Sequence, residues 1–65
     1  MKIEKYDEQF IKSTAADILE VQITTDDAKK IHDAIKEQTG ADYYYALKQE
    51  LFNNRKYLQA NRKSV

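Results

Sequence analysis

The sequence predicts an all-α fold, a small bundle of about three helices whose last two pair as a C-terminal antiparallel helical hairpin. The chain of 65 residues contains one glycine and no proline, so it offers few sites for the tight turns of a β-sheet. Two segments in its second half carry apolar residues at helical spacing and are separated by a short joint. A short joint packs consecutive helices side by side in opposite directions. Residues 1–65 are therefore expected to form a single small helical domain.

The N-terminal third has the least regular pattern. Ile3, Tyr6 and Phe10 lie at helical spacing, which indicates a helix that starts early. Ser13 or Thr14 is placed to cap a second helix. The pattern before these two residues fits either a helical or an extended conformation.

The next segment, ILEVQIT at residues 18–24, connects the N-terminal third to the middle of the chain. We expect helices on both sides, joined by a turn near Gln22. The alternative is a short extended segment over residues 21–24, because the sequence alternates weakly between apolar and polar side chains and is rich in β-branched residues.

The clearest helix follows the segment ITTDD at residues 23–27. Thr24 is a natural N-cap, and Asp27 three residues later supplies the acid of a capping box. Acids in a first turn also interact favourably with the helix dipole. Gly40 is expected to end this helix in a left-handed conformation. The apolar stripe of the helix consists of Ala28, Ile31 and Ile35.

The last helix is predicted to begin after Asp42, which is a natural N-cap, and to continue to about Ala60. Residues 61–65 are polar, and we expect them to form a frayed tail. The core stripe of this helix is predicted to consist of Tyr44, Leu47, Leu51 and Leu58.

The composition disfavours catalysis, cofactor binding and metal binding. There is no cysteine, and the single histidine, His32, cannot build a histidine metal cluster. One glycine is too few for a glycine-rich phosphate loop. His32 lies beside the apolar stripe of its helix, where packing at the core edge explains its presence. We therefore expect no enzymatic activity, no cofactor, no metal and no small-molecule substrate.

The N-terminus, MKIEKYDEQF, interleaves acids with lysines and lacks the apolar region of a signal peptide. No segment approaches the roughly 20 apolar residues of a membrane span. The sequence therefore predicts a cytoplasmic protein without membrane contact.

The segment AADILEVQITT, residues 15–25, resembles the first helix and turn of helix-turn-helix DNA-binding proteins. In that family an alanine-rich apolar helix is followed by a tight turn and by a recognition helix that begins at Thr or Ser. Glu20 stands where the family has glycine, and the helix that would enter the major groove begins with Asp26 and Asp27. The resemblance implies a small DNA-binding regulator that uses residues 15–38.

Charge is distributed unevenly along the chain. Residues 1–40 contain six lysines against nine acids, whereas residues 41–65 contain five basic residues against two acids. A basic C-terminal segment could contact nucleic-acid phosphates, although cations are also favoured near a helix C-terminus. Together with the resemblance, this makes DNA binding the alternative function. The residues predicted to carry it are Thr24, Thr25, Arg55, Lys56, Arg62 and Lys63.

Three consecutive tyrosines in the last helix predict the favoured function. Neighbouring helical residues point about 100° apart, so Tyr43, Tyr44 and Tyr45 cannot all face one core. The predicted stripe takes Tyr44, which leaves Tyr45 with Phe52 on one flank. Exposed aromatic side chains rimmed by cations are typical of protein-binding surfaces. The residues predicted to bind a partner are Tyr43, Tyr45, Lys48, Phe52, Lys56 and Tyr57.

The sequence therefore predicts a small regulator or inhibitor that acts by binding another protein. A homodimer is the simplest use of the aromatic flank, because symmetric pairing would enlarge a small core. A structural homo-oligomerisation module is a third interpretation, after protein binding and DNA binding.

Overall fold

The computed structural model describes residues 3–64, which form four α-helices and one short two-stranded antiparallel ribbon. Of the described residues 71% are helical, which confirms the predicted all-α class. In chain order the elements are α1 (Glu8–Leu19), β1 (Val21–Gln22), α2 (Thr25–Ile35), α3 (Gly40–Asn53), α4 (Arg55–Asn61) and β2 (Lys63–Ser64).

Helix α1 begins at an aspartate cap rather than at a hydroxyl residue. The side chain of Asp7 accepts a hydrogen bond from the Phe10 N–H at 3.1 Å, as an N-cap does. Thr14 lies inside the helix, where its hydroxyl donates to the Phe10 carbonyl at 2.8 Å. The predicted helix start at Ser13 or Thr14 is therefore wrong. The residues from Ile3 to Asp7 are not helical, so the early stripe does not form a helix.

The connection between α1 and α2 is extended. Glu20 ends α1 with φ 55° and ψ 44°, a left-handed conformation that is sterically costly for a residue other than glycine. Val21 and Gln22 then form β1, so the predicted turn near Gln22 is wrong and the extended alternative describes this segment. Val21 and Ile23 point into the core, which explains why the backbone alternates here.

Residues 62–64, which belong to the predicted frayed tail of residues 61–65, make contacts with the rest of the chain. Lys63 and Ser64 form β2, which pairs with Gln22 and Val21 of β1. Arg62 reaches α2 and makes an ion pair with Asp27. The prediction relied on polar composition, which cannot show main-chain pairing with a distant strand. Val65 lies outside the described residues.

Helix α2 has the predicted capping box. The Asp27 N–H donates to the Thr24 hydroxyl at 3.1 Å, and the Thr24 N–H donates to the Asp27 carboxylate at 3.0 Å. The helix ends at Ile35, however, so Gly40 does not terminate it.

The joint between α2 and α3 places Gly40 at the start of α3. Gly40 has the predicted left-handed backbone, with φ 61°, and its N–H donates to Glu4 Oε1 at 3.1 Å. Thr39 occupies the N-cap position without a side-chain hydrogen bond, so the predicted cap at Asp42 is wrong and Asp42 lies in the first turn. The Glu4 N–H also donates to the Lys36 carbonyl at 2.8 Å, so the segment before α1 crosses this joint.

The predicted single C-terminal helix is interrupted at Asn54. The Asn54 side-chain amide donates to the Glu50 carbonyl at 2.8 Å and to the Glu50 carboxylate at 3.1 Å. Asparagine side chains that bond the preceding turn compete with regular helical geometry. Asn54 N–H still donates to the Glu50 carbonyl, and Leu58 N–H donates to the Asn54 carbonyl, so helical bonding spans the interruption.

One apolar cluster includes residues from every helix of the described chain. It contains the whole stripe predicted for α2 and the three leucines, but not Tyr44, of the stripe predicted for the last helix. No helix within residues 3–64 combines the length and the apolar composition that crossing a membrane requires. The buried apolar residues are Ile11, Ala15, Leu19, Val21, Ile23, Ala28, Ile31, Ile35, Tyr43, Leu47, Leu51 and Leu58.

Candidate binding surface

The three consecutive tyrosines occupy three different environments. Tyr43 is 5% exposed, Tyr44 is 45% exposed and Tyr45 is 66% exposed. Tyr43 is therefore a core residue and not part of a partner-binding surface, whereas Tyr44, predicted in the core, faces solvent. Both predictions are corrected by the structure.

Tyr43 is buried where Tyr44 was predicted to be, and helical geometry explains why the two could be confused. Leu47 and Leu51 continue a stripe from Tyr44 at i, i+3 and i+7, and equally a stripe from Tyr43 at i, i+4 and i+8. Periodicity alone cannot choose between them. The Tyr43 hydroxyl lies 2.8 Å from His32 Nδ1 of α2, so the buried tyrosine is the one whose hydroxyl finds a partner.

His32 and Tyr43 belong to a small buried polar cluster that also includes Tyr6. The rings of Tyr6 and His32 meet edge to face, with centroids 5.3 Å apart. Burial, with smaller contributions from the negative charges of Glu4 and Asp7, raises the pKa of Tyr43 to about 12. The cluster joins the end of α2 to the start of α3 and is closed to solvent at His32 and Tyr43.

A second polar contact closes the opposite end of the α2–α3 pair. Arg62 donates two hydrogen bonds to the Asp27 carboxylate, from Nε to Oδ2 and from Nη2 to Oδ1, the second at 2.6 Å. The hydrogen bond from Arg62 is the main cause that lowers the pKa of Asp27 to about 2. Arg62 also lies over the ring of Tyr57, 5.1 Å from its centroid.

The outer side of α3 and α4 carries exposed aromatic rings together with cations, and we name it the aromatic–cation face. On a continuous helix these residues would lie within a sector of about 120°. The four partner-binding residues predicted on this flank, Tyr45, Lys48, Phe52 and Lys56, all lie here with exposed side chains. The aromatic–cation face consists of Tyr44, Tyr45, Lys48, Phe52, Arg55 and Lys56.

Two of the cations lie directly over rings of the aromatic–cation face. Lys48 Nζ is 5.0 Å from the centroid of Tyr44, and Arg55 Cζ is 4.1 Å from the centroid of Phe52. Arg55 Nη1 also donates to the Phe52 carbonyl at 2.9 Å, which fixes the guanidinium above the ring. Cation–π contacts of this kind are weak in water but orient both groups.

Helix α1 extends the aromatic–cation face at its start. Phe10 is 40% exposed, and its ring centroid is 6.0 Å from that of Tyr44, with the planes tilted by 46°. Its spacing from Ile3 and Tyr6 places Phe10 in a helical stripe, and the residues predicted to bind a partner do not include it. That predicted set also lacks Tyr44 and Arg55, although Tyr44, Lys48 and Phe52 follow one another at i, i+4 and i+8.

The remaining residue predicted to bind a partner, Tyr57, lies elsewhere. Its side chain is exposed, but thirteen residues after Tyr44 a helix points it away from the aromatic–cation face. Tyr57 lines a small groove with Asp27, Lys30 and Ile31 of α2. The structure therefore does not unite Tyr57 with Tyr45 and Phe52.

Among residues 3–64, no carboxylate forms an ion pair with a cation of the aromatic–cation face. Three ion pairs form within residues 3–64: Lys12 with Glu8 at 2.8 Å, Lys36 with Asp33 at 3.7 Å, and Arg62 with Asp27. None of them uses a cation of this face. Glu50, the nearest acid along α3, instead accepts from Asn54.

Four of the residues predicted to contact nucleic acid, Thr24, Thr25, Arg55 and Arg62, make side-chain contacts within the chain. Thr24 caps α2, and the Thr25 hydroxyl donates to Glu8 at 2.9 Å. Arg62 is bound to Asp27. Lys63 lies in β2 with its side chain exposed, and Arg55 and Lys56 belong to α4.

The geometry of the helix-turn-helix resemblance is only partly reproduced. Glu20 has the left-handed backbone that the family turn requires. The connection that follows contains β1, which pairs with β2, so the segment between α1 and α2 is part of a ribbon rather than a simple tight turn. Asp26 remains exposed in the first turn of α2, where it would meet phosphates with negative charge.

No group of three or more His, Cys, Asp or Glu side chains in the described part of the chain is arranged to hold a metal ion. Comparison with protein-family models, with curated proteins and with solved structures gives no match for this chain.

Proposed function

We propose that this protein is a small non-enzymatic regulator of the cytoplasm that binds another protein through the aromatic–cation face of α3 and α4. The observation that carries the proposal is the exposure of three rings on one side of a helix, Tyr44, Tyr45 and Phe52, with exposures of 45%, 66% and 51%. Tyrosine, phenylalanine and arginine are enriched in the centres of protein interfaces.

These rings are not needed to build the core. Tyr43, Leu47, Leu51 and Leu58 already supply the buried side of α3 and α4. Exposed apolar side chains occur singly on many proteins, but here three rings share one side of the helix, and Phe10 of α1 packs beside one of them, Tyr44. A patch of this kind gains free energy when a partner removes it from water.

The polar groups buried in the fold support a binding role rather than catalysis. The Asp27 carboxylate accepts hydrogen bonds from Arg62 and from the Thr24 N–H, and His32 Nδ1 is hydrogen-bonded to the Tyr43 hydroxyl. A catalytic acid or base has to reach a substrate, whereas these groups are turned towards each other. A regulator without a reaction of its own acts by occupying a surface of its target.

The proposal is tested with the double variant Tyr45→Ala/Phe52→Ala. Wild-type protein and the variant are immobilised, and proteins captured from an extract of the source cell are quantified by mass spectrometry. We expect at least one protein to be captured by the wild type and to be depleted about tenfold or more with the variant, because a central interface residue contributes 2 kcal/mol or more, roughly 30-fold in affinity.

Tyr57→Ala is the matched control, because it removes an exposed tyrosine from another side of the same helical segment. Circular dichroism shows whether each variant keeps its helices. The proposal is wrong if the folded double variant captures the same proteins as the wild type. A wild-type dimer that the double variant loses, without any other captured protein, would instead identify a homo-oligomerisation module.

A further inference from the structure

We infer that the partner contributes an acidic segment with apolar side chains, and that this segment lies along the aromatic–cation face with its carboxylates on Lys48, Arg55 and Lys56. The inference rests on the proposed protein-binding function and adds the chemical class of the binding partner.

Charge complementarity is the first reason. The cations lie among the rings, with Lys48 over Tyr44 and Arg55 over Phe52, so any group that covers the rings also meets the cations. No carboxylate within residues 3–64 forms an ion pair with them. A neutral apolar partner would bury the cations without a counter-charge, which is costly. Carboxylates on the partner remove that cost.

A second copy of this chain fits the face poorly. A symmetric dimer places the same patch on both subunits, so residue i of one copy meets the corresponding patch of the other. Each copy would then bring Lys48, Arg55 and Lys56 towards the same three cations. Like charges brought together across an interface oppose association. The carboxylates of an acidic partner would instead attract the same three cations and favour association.

A nucleic-acid strand also fits less well than an acidic protein segment. Binding of single strands relies on aromatic faces that are free to stack on bases. Here Arg55 already lies over the ring of Phe52, and Lys48 lies over that of Tyr44. Phe10 and Tyr44 are tilted by 46° and offer no flat platform. The rings are better placed to contact aliphatic side chains from the side.

The length of the face sets the length of the binding segment. Tyr44 and Lys56 are twelve residues apart, which corresponds to about 18 Å of helix. A helical or extended segment of comparable length can contact both ends. A suitable probe is a fluorescent amphipathic peptide of about 18 residues built from Leu, Ala and Glu, which as a helix of about 27 Å extends beyond both ends of the face. Two matched peptides carry Gln or Lys in place of every Glu.

Fluorescence anisotropy with these peptides tests the inference. We expect the Glu peptide to bind the wild type, and to bind the triple variant Lys48→Gln/Arg55→Gln/Lys56→Gln roughly tenfold more weakly at low salt. The Gln peptide should bind the wild type about tenfold more weakly than the Glu peptide, and the Lys peptide more weakly still. Tyr45→Ala/Phe52→Ala should weaken binding of the Glu peptide as well, because the rings supply the apolar contact.

The matched control is Lys29→Gln/Lys30→Gln/Lys63→Gln, which removes three exposed lysines that lie outside the face. It should bind the Glu peptide within about twofold of the wild type. The inference is wrong if the Glu peptide does not bind, if all three peptides bind equally, or if both triple variants lose affinity alike. It is also wrong if a thymidine oligonucleotide binds more tightly than the Glu peptide and depends on the same residues.

Failure of this inference can be distinguished from failure of the proposed function. If cellular partners are lost with Tyr45→Ala/Phe52→Ala but retained with Lys48→Gln/Arg55→Gln/Lys56→Gln, the face binds protein without requiring acidic chemistry. The inference then fails and the proposed function stands. If neither variant changes capture, both fail.

Discussion

Arg55 and Arg62 are seven residues apart and have opposite surroundings. Arg62 is bound by the carboxylate of Asp27 and closes the contact between α2 and the C-terminal residues. Arg55 lies on the ring of Phe52 and has no carboxylate partner within residues 3–64. Arg62, in the extended backbone just after α4, forms a structural ion pair, whereas Arg55, at the start of α4, contacts a ring and no carboxylate of the described residues. The difference shows that the fold completes its inner polar contacts and leaves those of the aromatic–cation face incomplete.

The largest effect is expected from the core neighbour of Phe52. Leu51 is fully buried, and replacing a buried leucine with alanine destabilises a protein by about 2–5 kcal/mol. A single core of this size rarely provides more than roughly 3–5 kcal/mol. Leu51→Ala should therefore be largely unfolded at room temperature, as measured by circular dichroism and urea denaturation. A folded Leu51→Ala variant would show that the inner side of α3 contributes less than its burial indicates.

The second largest loss of stability is expected when the ion pair between Arg62 and Asp27 is removed. The pKa of Asp27 is lowered from 3.8 to about 2 in the folded chain, so its ionised form favours folding. This stability is fully present above pH 3.8 and is lost as the pH falls through about 2. By the conversion of 1.36 kcal/mol per pKa unit it amounts to about 2 kcal/mol.

Asp27→Asn should lose that stability at pH 7, and its free energy of unfolding should no longer fall between pH 4 and pH 2 to the same extent. Urea denaturation across this pH range measures both. Asp33→Asn is the matched control, because Asp33 is exposed and its ion pair with Lys36 is longer, at 3.7 Å. Equal acid dependence of wild type and Asp27→Asn would contradict the assignment.

The third largest loss of stability is expected at Tyr43, the buried tyrosine of the three. Tyr43→Phe removes the hydroxyl beside His32 and should destabilise the fold by about 1 kcal/mol. Tyr44→Phe and Tyr45→Phe should change stability very little, because both hydroxyls belong to exposed side chains. Because the pKa of Tyr43 is raised to about 12, its contribution is present below pH 10 and is lost as the pH rises through 12. Thermal unfolding of the three variants at neutral and alkaline pH measures these differences.

The smallest effect is expected on the aromatic–cation face itself. Phe52→Ala removes an exposed ring and its contact with Arg55, which should change the free energy of unfolding by about 0.5 kcal/mol or less. Thermal unfolding of Phe52→Ala and of Leu51→Ala, measured side by side, compares the contributions of these two adjacent residues to stability. A loss of 2 kcal/mol or more from Phe52→Ala would mean that the ring belongs to the core and not to a binding surface.

Features that depend on neighbouring residues could be predicted from the sequence. The Thr24–Asp27 capping box joins two residues that are three positions apart, and both of its hydrogen bonds are present. Gly40 has the left-handed backbone that its lack of a side chain permits, although it begins α3 instead of ending α2. Exposure of Tyr45 and Phe52 also follows from helical periodicity once Leu47 and Leu51 are placed in the core.

Features that depend on distant partners could not be predicted. Tyr43 and Tyr44 fit the same leucines, and the choice between them is made by His32, which lies on another helix. Polar composition predicts a frayed tail over residues 61–65. The sequence around Arg62 does not indicate that its ion-pair partner is Asp27, which lies 35 residues away in the chain. The face itself was therefore only partly predicted: Tyr45, Lys48, Phe52 and Lys56 were nominated, whereas Tyr44 and Arg55 were not.

The β1–β2 ribbon has a consequence for the order in which the chain folds. Its residue pairs, Val21 with Ser64 and Gln22 with Lys63, close a loop of about 40 residues with only two residues in each strand. The helices between them rely on contacts over a few residues and can form before that loop closes. Folding is therefore expected to end with the ribbon, and native-state hydrogen exchange should find its amides opening before those of Leu47 and Leu51.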